Sequence, residues 1–232
     1  MSIPIILVVL FSMYFLLELS RNFFRIQRLT AIVKIVQSLL LICAAVYLIV
    51  QQILPRSLFF VPNWITGLLL GHVLYTVGFL IIAGFNPIVK NQFLSFFQVL
   101  RFSFVSPVIL GRTFVVALTE EIIYRATIQP ILIGIIGNAI VAILIVSITF
   151  TLVHEHIFQN QMRQNIEFLL FSVIISILYL MTNDLGFVTI IHFIRNMESN
   201  YLEFQEKLQE INDPEKCMDE LEKTLFGIGG VS

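Results

Sequence analysis

The sequence predicts an all-α, multi-pass transmembrane helical bundle of seven or eight helices with a polar site inside the membrane. Three observations lead there. First, 58% of the 232 residues are hydrophobic and only 12% are charged, with a mean hydropathy of +0.93. A soluble domain cannot hide that much apolar surface. Second, apolar runs of roughly 20 residues, the length that crosses a ~30 Å hydrocarbon core, recur along the chain. Third, the net charge of −1 conceals an asymmetry. Residues 1–197 carry 11 Lys/Arg against 6 Asp/Glu, and residues 198–232 carry 3 Lys against 9 Asp/Glu. A basic membrane body therefore precedes an acidic soluble tail. Lipid is the implied surroundings, and nucleic acid is not an expected partner.

The candidate spans, in order, are 2–19, 31–54, 63–84, 113–134, 138–156, 166–182 and 185–204. The first lacks a basic leader and a small-residue cleavage site, so it reads as a retained helix. The stretch 92–110 is apolar, but Arg101 sits at its centre and Pro107 near its end. It either spans or lies at the interface as an amphipathic helix. From about 205 the chain reads as helix-like and solvated, with Pro214 as a break. The organisation is then 1–111 as N-terminal membrane helices, 112–204 as a membrane core and 205–232 as the acidic tail. Cys43 and Cys217 lie in different parts of the chain and imply no disulfide framework.

Basic loop residues set the sidedness. Arg21, Arg25 and Arg28 place the first loop in the cytoplasm and Arg56 outside. If 92–110 lies on the inner surface, Arg101, Arg112, Arg163 and Arg195 all fall inside. That arrangement has seven spans, the N-terminus out and the C-terminus in; an eight-span arrangement is the alternative.

Charges inside the membrane are the informative residues. "TEEIIYRA" at 119–126 sets Glu120, Glu121 and Arg125 in an otherwise apolar run. Each charge at the bilayer centre costs about 2.5–3.5 kcal/mol on insertion scales. Glu121 and Arg125 are spaced i,i+4 in the favourable order and can pair on one helix face. Glu120 points about 100° away with no basic residue one turn along. A carboxyl in that position has a raised pKa and can serve as a base. "SITFTLVHEH" carries His154 with Phe150 one turn earlier, and "IIHFIRNME" carries His192 and Asn196 at i,i+4. Counted at 1.5 Å per residue, Glu120, His154, His192 and Asn196 fall in one leaflet. His72 reads as a helix–helix hydrogen-bond partner, Glu155 and His156 as solvated, and Asn183-Asp184 as a turn.

These segments fit Glu-Glu-x-x-x-Arg ("EEIIYR"), Phe-x-x-x-His ("FTLVH", with Ser147 three residues earlier) and His-x-x-x-Asn ("HFIRN"). In this order they resemble the three motifs of the CAAX protease and bacteriocin-processing (CPBP, or Abi) family, over about residues 112–200. The resemblance implies an intramembrane glutamate-type endopeptidase. Glu120 and His154 would activate water, His192 and Asn196 would stabilise the oxyanion, and Glu121, Arg125 and Phe150 would support the site. The substrate would be a small hydrophobic or membrane-bound peptide. Composition and size look bacterial, so the expected location is a bacterial plasma membrane and the expected role peptide maturation or bacteriocin self-immunity. No cofactor is expected. One Glu and two His could hold zinc, but "HEH" at 154–156 lacks the His-Glu-x-x-His spacing. The competing readings are a non-catalytic immunity or scaffold protein and a proton-coupled transporter, since intramembrane Glu and His also relay protons.

Overall fold

A computed structural model describes residues 3–51, 61–84 and 87–226. Arg56, on which part of the sidedness argument rests, lies outside the described residues. Among them there is no strand. The order is α1 (Ile3–Phe24), a 3₁₀ turn (Gln27–Leu29), α2 (Thr30–Val50), α3 (Val61–Ala83), α4 (Pro87–Leu94), α5 (Phe96–Val105) and α6 (Pro107–Glu121). A π-helical turn (Ile122–Ile128) leads into α7 (Gln129–Ile136) and α8 (Ala139–Leu152). A 3₁₀ turn (Glu155–Phe158), α9 (Met162–Thr182), α10 (Leu185–Ile211) and α11 (Pro214–Phe226) complete it. The predicted all-helical class holds, with more helices than seven or eight, because several apolar runs are broken.

The breaks have local causes. Pro107 forces Ser106 out of the helical region, to φ −119° and ψ 102°. The Ser106 hydroxyl then accepts the Ile109 N–H at 3.1 Å and caps α6. The result is a bend of 107° between Phe96–Val105 and Pro107–Ile136. The stretch 92–110 is therefore not one helix. Its ten-residue piece α5 is about 15 Å long, half of what a span needs. α5 is amphipathic, with Val99 buried and Phe97 and Phe104 exposed. Gly137 in the left-handed region (φ 71°) ends α7, and Asn138 caps α8 by accepting two backbone N–H groups at 3.0 and 3.2 Å. Asn183 (φ 49°) closes α9, and Asp184 caps α10 through the Phe187 N–H at 2.9 Å, the expected turn.

Among the described residues, four helices are long and apolar enough to cross a membrane: Ile3–Phe24, Gln27–Val50, Asn63–Ala83 and Met162–Thr182. The bent pair makes up to five. Two expected spans change form. The run 138–156 shortens to Ala139–Leu152 because the chain leaves the helix at Val153. The run 185–204 extends to Ile211 as one helix but carries Arg195, Glu198 and Glu203. Large apolar side chains stay exposed along the spans, for instance Ile42 at 60% and Met181 at 76%. In water that would be a heavy liability; against lipid tails it is the normal surface.

The chain forms two compact units, each built from discontinuous segments. Unit 1 is Met1–Ile65 with Thr119–Val188, and unit 2 is Thr66–Leu118 with Thr189–Ser232. In unit 1, α1 buries Leu7, Phe11, Tyr14, Glu18 and Asn22, a stripe at three- and four-residue spacing. Small polar groups let α8 and α9 approach, with Ser147 Oγ 3.3 Å from Ser176 Oγ. In unit 2, Val99, Phe102, Ile109, Ala117, Phe193, Ile194, Met197 and Leu221 form one cluster. Leu221 belongs to the tail, so at least one face of the tail packs into this unit, while most of its other described residues are exposed or half-buried. Asp213 and Pro214 start a new helix, and Glu222 accepts the Ser106 hydroxyl at 2.6 Å. Cys217 is fully buried, and both cysteines are free.

Gly71 sets the packing of α3 on α10. A Cβ there would lie 2.9 Å from the Ile191 backbone oxygen and closer still to the Ile194 side chain. Gly71→Ala is therefore expected to lower the thermal unfolding midpoint of the purified protein. An unchanged midpoint would mean that α3 yields without cost.

Candidate active site

Glu120, Glu121, Arg125, Phe150 and His154 all belong to unit 1. Glu120 and Glu121 end α6, and the helix then widens. All seven residues of the π turn Ile122–Ile128 are buried. The Gln129 N–H bonds to the Tyr124 carbonyl, five residues back. The expected ion pair forms on this turn, with Arg125 Nε 3.4 Å from Glu121 Oε2 and both side chains fully buried. Arg125 Nη2 also donates to Ser172 Oγ at 3.0 Å on α9. Its guanidinium lies 4.2 Å from the centroid of the Phe150 ring. Phe150 meets Tyr124 edge-on at 5.0 Å and stacks on Phe168 at 5.5 Å. An acid, a base, a hydroxyl and an aromatic face thus share the cost of burying two charges.

His154 is not on a helix, which corrects the expectation that Phe150 and His154 share a helical face. α8 stops at Leu152, and His154 is extended, at φ −86° and ψ 121°. The two rings still meet, at 4.7 Å. His154 Nδ1 is 2.7 Å from the Phe150 carbonyl oxygen. A carbonyl can only accept, so Nδ1 carries the proton and Nε2 of the neutral ring is an acceptor. Nε2 faces Glu120 Oε1 at 3.7 Å, and both side chains keep about a fifth of their surface, at 21% and 20%. The sequence pattern gave Glu120 no basic partner one turn away. Its neighbour is an imidazole 34 positions later, delivered by the break in α8. Glu155 and His156 are exposed as expected.

His192 and Asn196 belong to unit 2, on one face of α10. His192 is buried at 2% exposure and Asn196 is half-buried. Unit 2 also contains a polar cluster of which the sequence reading saw only one member. His72 Nδ1 lies 2.6 Å from Glu198 Oε1, and its Nε2 lies 2.9 Å from the Phe93 carbonyl. Nε2 must donate to that carbonyl, so the 2.6 Å contact needs a proton carried either by Nδ1 or by the Glu198 carboxyl. Gln92 donates to the other Glu198 oxygen at 3.1 Å. Glu198 reads as the start of the acidic tail, yet it is fully buried. The signal that could have found it is His72 itself, a membrane-level imidazole in need of an acid. Among the described residues no three His, Cys, Asp or Glu side chains converge to hold a metal ion.

The chain thus combines apolar membrane-length helices with a Glu120–His154 carboxylate–imidazole pair beside a buried, braced Glu121–Arg125 pair. Residues 102–197 match the family model described as type II CAAX prenyl endopeptidase Rce1-like. All three motifs lie inside the match. No curated protein and no solved structure matches the chain.

Proposed function

We propose that the protein is an intramembrane endopeptidase that hydrolyses a peptide bond of a small hydrophobic or membrane-bound peptide by Glu120/His154-activated water. The observation that carries the reading is the 3.7 Å contact between Glu120 Oε1 and His154 Nε2. Two acceptors at that distance are too far apart for a direct hydrogen bond and suit a donor between them. A water donating to both turns its lone pair outward, toward a carbonyl carbon. Attack forms the C–O bond while the water proton passes to the Glu120–His154 pair. The same proton then goes to the leaving amine as the C–N bond breaks. His192 and Asn196 take the oxyanion in this reading, a role that rests on the motif resemblance. The constellation has no Ser or Cys, which favours direct water attack over an acyl-enzyme. The reaction so written uses no metal. A bacterial plasma membrane and a peptide-maturation or immunity role fit the composition.

The test uses the purified full chain in lipid nanodiscs. Internally quenched peptides are the probes, one carrying a farnesylated CAAX-type end and one a plain apolar anchor. Cleavage of either, with new termini seen by mass spectrometry and lost in Glu120→Gln, supports the reading. Binding without cleavage supports the scaffold reading instead.

A further inference from the structure

The groups that hold His154 are not confined to the matched segment. We infer that Asn22, on α1, is a positioning residue for His154, pinning the chain break that presents the imidazole to Glu120. Asn22 Nδ2 donates to the Val153 carbonyl at 2.6 Å, across 131 positions of sequence. That carbonyl belongs to the peptide unit that leads into His154. It is also one of the orphan acceptors left where a helix stops. Asn22 and Val153 are both buried, at 7% and 6% exposure, so no water stands ready to replace the bond.

The orientation of the Asn22 amide is itself fixed. Arg21 Nε and Nη2 both donate to its Oδ1 at 3.1 Å, and Nη2 also donates to Glu18 Oε1 at 2.6 Å. An oxygen held by a guanidinium leaves only the NH₂ to face Val153. Glu18 and Asn22, bridged by Arg21, thus form a chain of contacts on α1 that ends on the Val153 carbonyl, next to His154. Glu18 and Tyr14 are buried on the same stripe of α1 as Asn22. Arg21 therefore does more than set sidedness as one of three basic loop residues.

A residue that merely capped α8 would affect stability and nothing else. A positioning residue changes the environment of His154 in the folded protein. Two readouts separate these roles in nanodisc-embedded full chain. The first needs no substrate: the rate at which diethyl pyrocarbonate modifies His154, followed by peptide mass spectrometry, with exposed His156 as the reference. Asn22→Asp keeps the shape but has no donor, so both it and Asn22→Ala are expected to raise the His154 rate severalfold. Asn22→Gln retains the donor and should stay near the wild-type rate. The second readout rests on the peptidase reading. With the quenched peptides, kcat should fall on the order of tenfold to a hundredfold in Asn22→Asp, with KM unchanged. A folded Asn22→Asp protein with wild-type His154 reactivity overturns the inference. If neither Asp nor Ala accumulates, Asn22→Gln decides: a folded Gln variant with unprotected His154 overturns it as well. If the wild type cleaves no probe, the peptidase reading fails while the first readout still judges Asn22.

Discussion

Glu120→Gln is expected to lower peptide cleavage by about a hundred- to ten-thousand-fold while the protein still accumulates in the membrane. The amide keeps the shape of the carboxyl but cannot take a proton from water. Glu120 sits at the partly open end of α6, and its side chain retains 20% of its surface, so little packing depends on its charge. His154→Ala should fall in the same range, since the imidazole is the other half of the pair. Unchanged unfolding midpoints in both variants would identify the loss as chemical. A Glu120→Gln protein with wild-type turnover would remove the acid from the mechanism and favour the scaffold reading.

Arg125→Ala is expected to act in the opposite way, through folding. It removes the cation from a pair with no exposed surface and leaves Glu121 as a buried charge. Breaking such a pair costs about 3–5 kcal/mol. The Ser172 hydroxyl and the Phe150 face lose their partner at the same time. The variant should show low membrane levels and a depressed unfolding midpoint, with activity lost as a consequence. Arg125→Lys should rescue little, because an ammonium neither stacks on the ring nor reaches both neighbours with a planar fork. Wild-type abundance and midpoint in Arg125→Ala would contradict a bracing role.

What was legible in the sequence follows from what each signal depends on. Helical class and membrane habitat depend on composition and run length, and both hold. The Glu121–Arg125 pair depends on local spacing, and it forms although the turn beneath it is π-helical. Nothing in "IIYRATI" marks that turn, because these residues suit an α-helix equally well and the bulge is set by packing. The break at Val153 was invisible for a related reason. "TFTLVHEH" reads as continuous helix, and the freed Val153 carbonyl takes its partner from the Asn22 side chain, far away in sequence. Ser106-Pro107 was a readable break, and its consequence was the bend that leaves α5 too short to span. Glu198 was misread because its neighbours in sequence are acidic, whereas its neighbours in space are His72 and Gln92.

The proposed hydrolysis requires Glu120 and His154 to act on one water as a unit, and a double-variant cycle of cleavage rates tests that most directly. Groups that act together are strongly non-additive. Measured with the quenched peptide in nanodiscs, Glu120→Gln combined with His154→Ala should be no slower than the worse single variant. Losses that multiply in the double variant would mean that the two side chains work independently, and would contradict the shared-water mechanism.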